Sequence, residues 1–288
     1  MKRIRYFFEA VFVAIFFLLF WILGPVKASN LGGWLGRKIG PKLAASRKAK
    51  RHLKSALPHL DDNRQNQVIA GMWENLGRVM AEYPHLEKIS REYTTIAAVD
   101  RIVPLLNNNQ PIVFIGAHQA NWEVNGAAMY TQLDHKLALT YRPPNNPWTA
   151  NILESARTLN GTLKAYSKLS NSGRNIIQTI RSGKPVGILI DQKYNEGLEA
   201  DFFGMPAMTN PVFVSLAQKY RCPLIPVRCE RLKGCEFRLT PYPEIRTFDD
   251  EGVALPTKDV ISAAHDVLEE WITETPEQWL WLHRRWKK

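Results

Sequence analysis

The chain has 288 residues, of which 45% are hydrophobic and 23% charged, enough for one large packed domain and too apolar for a disordered protein. Its formal charge of +11 resides in the first 54 residues, which hold twelve Lys and Arg against Glu9 alone, while the rest is neutral. That distribution, with no recognition motif, argues against a nucleic-acid partner and for a basic segment with a local task.

Residues 10–26, AVFVAIFFLLFWILGPV, carry no charge and approach the roughly 20 apolar residues that span a bilayer, a length that Tyr6 to Phe8 extend. The competing reading is a cleaved signal peptide, because MKRIR is a fair positive start and Val26-Lys27-Ala28 loosely fits a cleavage site. The run is long and aromatic, and the bases after it oppose translocation, so residues 1–27 read as a retained membrane anchor with the body on the cytoplasmic side. Residues 28–60 read as a basic amphipathic segment beside the anionic membrane face, and 61–288 as one catalytic domain.

From Asp61 to Tyr83 the apolar positions Ile69, Met72, Trp73, Leu76, Met80 and Tyr83 predict a helix, capped by Asp61 or Asp62 and ended by Pro84. Beyond residue 111, short apolar runs (Ile112 to Ile115, Leu137 to Tyr141, Thr162 to Tyr166, Val186 to Ile190, Leu224 to Val227) alternate with helices near 122–133, 147–159, 172–182 and 211–220. Such alternation predicts an α/β fold, a largely parallel central sheet flanked by helices, with an N-terminal anchor helix. CEFRLTPYPEI follows as an edge strand on account of its prolines, and a last helix spans about 257–274. The three cysteines, Cys222, Cys229 and Cys235, have no metal spacing; Cys229 and Cys235 could face one another across a hairpin, or serve as core residues in a reducing compartment.

GAHQANWEV, Gly116 to Val124, supplies the first chemistry. His118 follows a strand, where open α/β sheets place their crevices, and Glu123 falls in the first turn of the next helix with Asn121 as N-cap. Five residues on a continuous helix rotate a side chain by about 140°, so the two meet only if His118 lies on the turn before it. A carboxylate on one ring nitrogen then leaves the other as a base. By spacing alone, a structural His and a Glu favoured by the helix dipole are the readier explanation of the stretch.

YRPPNNP (Tyr141 to Pro147), ILIDQK (Ile188 to Lys193), FFGMPAMTN (Phe202 to Asn210) and PEQWLWLHRR (Pro276 to Arg285) follow in order, with MWENLGRVMAEY (Met72 to Tyr83) upstream. This set resembles the bacterial lipid A biosynthesis acyltransferase family, the late lauroyl- or myristoyl-type enzymes within the glycerolipid acyltransferase superfamily, over nearly the whole chain. The resemblance implies acyl transfer from an acyl carrier protein thioester to the hydroxyl of a primary 3-hydroxyacyl chain on lipid A precursor, by a monomer of the inner membrane needing neither cofactor nor metal. It implies His118 as base and Glu123, where many relatives carry Asp, as its orienting acid.

The tetrahedral oxyanion needs donors, either backbone N–H groups after His118 or a cation. Arg157 leads that set, followed by Arg142 and Arg174, each with lipid phosphate as its alternative ligand. Asp191 reads as a substrate-binding carboxylate or an Asx turn closing its strand, and FFG as acyl-pocket wall or core. His283 and Arg284, among Trp279, Trp281 and Trp286, read as membrane or headgroup contacts. A lysophospholipid or glycosylated phospholipid acceptor is the alternative substrate, and the absence of a Gly-x-Ser-x-Gly elbow argues against a serine hydrolase.

Overall fold

The computed structural model describes residues 2–141, 143–167 and 172–286. Helix α1 (Lys2–Ile39) is broken at Gly24, whose φ of 73° only glycine adopts without strain, and Pro25 next to it cannot continue the hydrogen-bond ladder. Helices α2 (Ala44–Ala56) and α3 (Asp62–Glu82) follow, and the Asp61 carboxylate caps α3 by accepting the Arg64 N–H at 2.7 Å. The second half of α1 lies directly on α3. Gly32 and Gly36 meet the backbone of Gly77 and Trp73, and Gly40 lies against the Trp73 ring, so closely that a Cβ on any of them would overlap those atoms.

The stretch read as membrane-proximal is thus packed onto the catalytic body. Ala49, Leu53 and Ala56 of α2 join the main core, leaving Arg47, Arg51 and Lys54 exposed on its outer face.

After α4 (Leu86–Glu92), β1 (Thr94–Ile96) and α5 (Val103–Asn107), the alternation begins: β2 (Val113–Gly116), α6 (Val124–Leu133), β3 (Ala138–Tyr141), α7 (Pro147–Arg157), β4 (Ala165–Ser167), α8 (Ser172–Arg181) and β5 (Val186–Leu189). A hairpin, β6 (Leu198–Phe202) and β7 (Met205–Thr209), precedes α9 (Val212–Tyr220), β8 (Leu224–Lys233), β9 (Glu236–Pro241) and α10 (Thr257–Glu274). The seven-stranded sheet runs β1-β9-β8-β2-β5-β3-β4, parallel throughout except between β8 and β9. β2 is central and buried along its whole length, as parallel strands covered on both faces require.

Three expectations change. β9 is an interior strand paired with both β8 and β1, because its prolines fall at or beyond its end, where no ladder N–H is lost. Cys229 lies opposite Leu239 rather than Cys235, and all three cysteines are free and buried. The β6–β7 hairpin was not anticipated; Phe203 and Gly204 both take positive φ at its turn, the primed geometry that suits a two-residue hairpin.

The register of β2 and β5 positions the site. Gly116 lies beside Leu189 in parallel pairing, so the loops carrying His118 and Asp191 leave the same sheet edge side by side.

The glycine seam yields a test. Gly36→Leu drives a side chain into the Trp73 carbonyl and should cost about 1–3 kcal/mol, read as a lowered thermal midpoint. Gly173→Ala, where a Cβ meets open space, should leave the midpoint near wild type.

Candidate active site

His118 stands on the turn between β2 and α6. Its Nδ1 lies 2.7 Å from Asp191 Oδ1, and its backbone N–H donates to Asp191 Oδ2 at 2.9 Å. Asp191 is 1% exposed and takes a third hydrogen bond from Trp279 Nε1 at 2.8 Å. Burial alone would raise this carboxyl, but His118 and these donors hold it well below the usual carboxylate range. An ionised carboxylate only accepts, so the proton between them belongs to His118 Nδ1.

His118 Nε2 faces Gln192 Nε2 at 3.0 Å, and the same amide nitrogen lies 3.0 Å from His283 Nε2. With the amide donating to both rings, Nε2 of His118 carries a lone pair directed at the site. Burial, with the neighbouring His118 next, depresses His283 to about 4, which keeps it neutral.

The turn is clamped by the C-terminal segment. Gln119 bridges Trp279, Leu280 N–H donates to the His118 carbonyl at 3.0 Å, and Ala120 N–H donates to the Gln278 carbonyl at 2.9 Å. Asn75 Nδ2 reaches the Ala120 carbonyl at 2.9 Å. Ala120 itself takes a left-handed φ of 49°, held by these contacts.

Glu123 does not orient His118, which corrects the sequence reading. Its carboxylate accepts from Arg157 Nε (2.7 Å) and Nη2 (2.6 Å), Tyr83 OH (2.6 Å) and Trp122 Nε1 (3.1 Å). His118 does lie on the turn, but Glu123 begins the helix in α-helical backbone geometry and points toward α7. The aspartate from the neighbouring strand occupies the place on Nδ1. Burial opposes the Glu123 charge, yet Arg157 keeps its carboxyl below the ordinary value, and Tyr83 is raised well above its own by burial and Glu123.

Arg157 is accordingly engaged in a buried ion pair and lies over the Tyr141 ring at 4.6 Å. Arg174 is exposed on α8 and lines no part of the cavity, and Arg142 lies outside the described residues. His283 sits in the cavity against Gln192, 5.1 Å from His118 between ring centroids, instead of at a membrane face, because the clamp folds its segment inward. Arg284 is exposed, whereas Arg285 is fully buried against Met208, Thr209 and the Phe202 ring. Phe202 packs with Trp279 and Trp286, so FFG belongs to the core.

A cavity of about 310 Å³ opens at His118, Trp122, Gln192, Leu280 and His283. It descends along β2 and β5 past Gly116, Ile115 and Phe114 to an apolar floor of Ile102, Leu137 and Leu139. Gln192 and Trp279 escaped the sequence-based site because their roles depend on strand adjacency, although both lie inside quoted motifs.

A base set beside a deep apolar slot, at the carboxyl edge of a parallel sheet, is the arrangement of an enzyme that works on lipid chains. The chain belongs to the bacterial lipid A biosynthesis acyltransferase family, whose model matches residues 1–288. It is 24% identical over 253 residues to the lipid A biosynthesis palmitoleoyltransferase of Escherichia coli (strain K12), covering 83% of this chain and 78% of that protein. To the lipid A biosynthesis lauroyltransferase of the same organism it is 23% identical over 250 residues, with 82% and 77% covered. A lipid A biosynthesis acyltransferase of Haemophilus influenzae is 22% identical over 267 residues, covering 88% of this chain and 78% of that one. The chain is therefore an acyltransferase of lipid A biosynthesis.

His265, bonded to Thr209 and the Asp201 carbonyl, is likewise depressed to about 4 by burial, with the Arg285 charge second. The unfolded chain binds protons at His265 and His283 from about pH 6.5 downward, and the folded protein resists them until about pH 4. Their contribution to stability is full above that window and is lost as pH falls through it. The thermal midpoint should drop between pH 6.5 and 4, and drop less in His265→Gln.

Proposed function

We propose that this acyltransferase moves a fatty acyl chain from an acyl carrier protein thioester to the hydroxyl of a primary 3-hydroxyacyl chain on lipid A precursor. The observation that carries the reading is the His118 imidazole, fixed through Nδ1 by Asp191 with Nε2 opening on the apolar cavity. The acyl chain of the donor lies in the cavity with its thioester carbon at the mouth. An unassisted alcohol is a poor nucleophile at neutral pH; Nε2 takes its proton as the oxygen attacks that carbon.

Asp191 stabilises the imidazolium so formed. The N–H groups of His118 and Ala120 are committed to Asp191 and Gln278, and Arg157 Nε and Nη2 to Glu123; the Gln192 amide, which donates to the His118 and His283 rings, gives up the His118 ring to the incoming hydroxyl and turns that N–H to the developing oxyanion. Collapse of the intermediate expels the thiolate, which receives the proton back from His118. The activated thioester supplies the driving force, and no cofactor or metal enters the scheme.

Glu123, Arg157 and Tyr83 act as positioning residues that tie α3, α6 and α7 together as the cavity wall. Removing Glu123 or Arg157 leaves the other's buried charge unpaired, at a cost of about 3–5 kcal/mol.

The first half of α1 is long and apolar enough to cross a bilayer, and Phe8, Phe12, Trp21 and Ile22 are exposed on it. We place its exposed apolar face in the inner membrane, with the catalytic body, on which its other face packs, on the cytoplasmic side. Helix α2 adjoins the cavity mouth: His52 Nδ1 lies 3.2 Å from the Trp281 carbonyl, two residues before His283. Its outer face, with Arg47, Arg51 and Lys54, flanked by Lys48 and by Lys50, which bonds Asp62 and Asn66 of α3, suits docking of an acidic carrier protein.

Detergent-solubilised protein with lauroyl-acyl carrier protein and lipid A precursor should yield a precursor heavier by one acyl group. His118→Ala should abolish transfer, and Asp191→Asn should lower kcat by about 10²- to 10⁴-fold. Acylation of lysophospholipid in place of the precursor would reassign the acceptor, and full activity in His118→Ala would refute the mechanism.

A further inference from the structure

Three nitrogens meet at the mouth of the cavity, and one of them has no task in this scheme. The Gln192 amide nitrogen stands 3.0 Å from Nε2 of His118 and 3.0 Å from Nε2 of His283. His283 is half-buried and lines the cavity together with Gln192. Its segment is firmly held. The His283 N–H donates to the Leu280 carbonyl at 3.4 Å, Leu280 N–H in turn holds the His118 carbonyl, and Trp281 between them is fully buried with Nε1 on the Pro276 carbonyl at 2.7 Å.

The bonding state of each group follows from its neighbour. Asp191 is ionised and only accepts, so His118 carries its proton on Nδ1 and its Nε2 accepts. An accepting nitrogen at 3.0 Å must face the NH2 end of Gln192, because the carbonyl end would set two lone pairs against each other. The same NH2 reaches His283, so Nε2 of that ring accepts as well, and the ring, kept neutral by burial, has its proton on Nδ1. One buried carboxylate thereby fixes a tautomer, an amide orientation and a second tautomer in series.

We propose that His283 is a positioning residue for acyl transfer: its Nε2 holds one N–H of Gln192 throughout the cycle, so that the other N–H, released by His118, is delivered to the oxyanion. This rests on the oxyanion role of Gln192 given above. In the resting site both N–H groups of the amide are bound to rings. The attacking hydroxyl passes its proton to Nε2 of His118, which becomes a donor and can no longer accept from the amide, while the thioester oxygen gains the negative charge. The freed N–H turns to that oxygen, and the tether on His283 keeps the amide carbonyl, which would repel it, pointed away. When the carbon–sulfur bond breaks, the thiolate takes the proton from Nε2 and the amide returns to the recovered lone pair. His283 neither gains nor loses a proton.

The test is a double-mutant cycle on the full-length protein, with lauroyl-acyl carrier protein and lipid A precursor as substrates and thermal melting to confirm that each variant is folded. Gln192→Ala should lower kcat by about 10²- to 10³-fold with KM little changed, the loss expected for one oxyanion donor. His283→Leu should lower kcat by about tenfold or more, and the double variant should match Gln192→Ala within about twofold, because a residue that acts only through Gln192 then has nothing left to position. His283→Gln, whose side-chain carbonyl can accept the same N–H, should regain most of the lost kcat. Should His283→Leu prove unfolded, His283→Asn, polar but too short to reach the amide, takes its place. Losses that multiply in the double variant, a raised KM with kcat unchanged in His283→Leu, or no recovery in His283→Gln overturn the positioning role while leaving His118 and Gln192 in theirs. Unchanged kcat in Gln192→Ala overturns its oxyanion role and the tether with it, and leaves the base, tested by His118→Ala, standing.

Discussion

The hydrogen bond between His118 Nδ1 and Asp191 is the interaction on which the site depends, and it is a product of sheet register. Two central parallel strands end level with one another, and the residues just beyond their ends are an imidazole and a carboxylate. Three donors hold that carboxylate ionised inside the protein: the His118 ring, the His118 backbone and Trp279. A buried charge without such partners would be neutralised. The third donor comes from the C-terminal segment, which also pairs with the His118 turn through Gln119 and Leu280. The end of the chain thus completes a centre begun some 160 residues earlier in sequence.

A second buried pair stands one helix away. Arg157 grips Glu123 through two nitrogens while Tyr83 donates to the same carboxylate, tying α3, α6 and α7 together. Phe17 of α1 lies beside Tyr83, at 6.1 Å between ring centroids, and the His85 ring meets the Phe20 carbonyl at 2.9 Å. The apolar helix is therefore joined to the wall of the cavity, and the glycine seam on α3 secures its other half. Anchor and catalytic body share one packed structure.

The sequence made most of this legible where periodicity and end signals are local. The α/β alternation, the long α3 with its Asp61 cap and the placing of His118 on a turn came from apolar spacing and polar punctuation. The pairing within the site did not, because a five-residue offset brings Glu123 near His118 along the chain while Asp191 arrives from 73 residues away through strand order. Register decides between them, and register is a property of the whole sheet. The same cause hid the roles of Gln192 and His283, and it turned β9 from an expected edge into an interior strand once β1 paired beside it.

The most direct measurement of the central claim is histidine nitrogen and proton NMR on the folded protein, following the Nδ1–H of His118. A proton shared with an ionised, buried aspartate should resonate far downfield and exchange slowly; it should disappear in Asp191→Asn and persist in Glu123→Gln. A signal that survives in Asp191→Asn but is lost in Glu123→Gln would contradict the account.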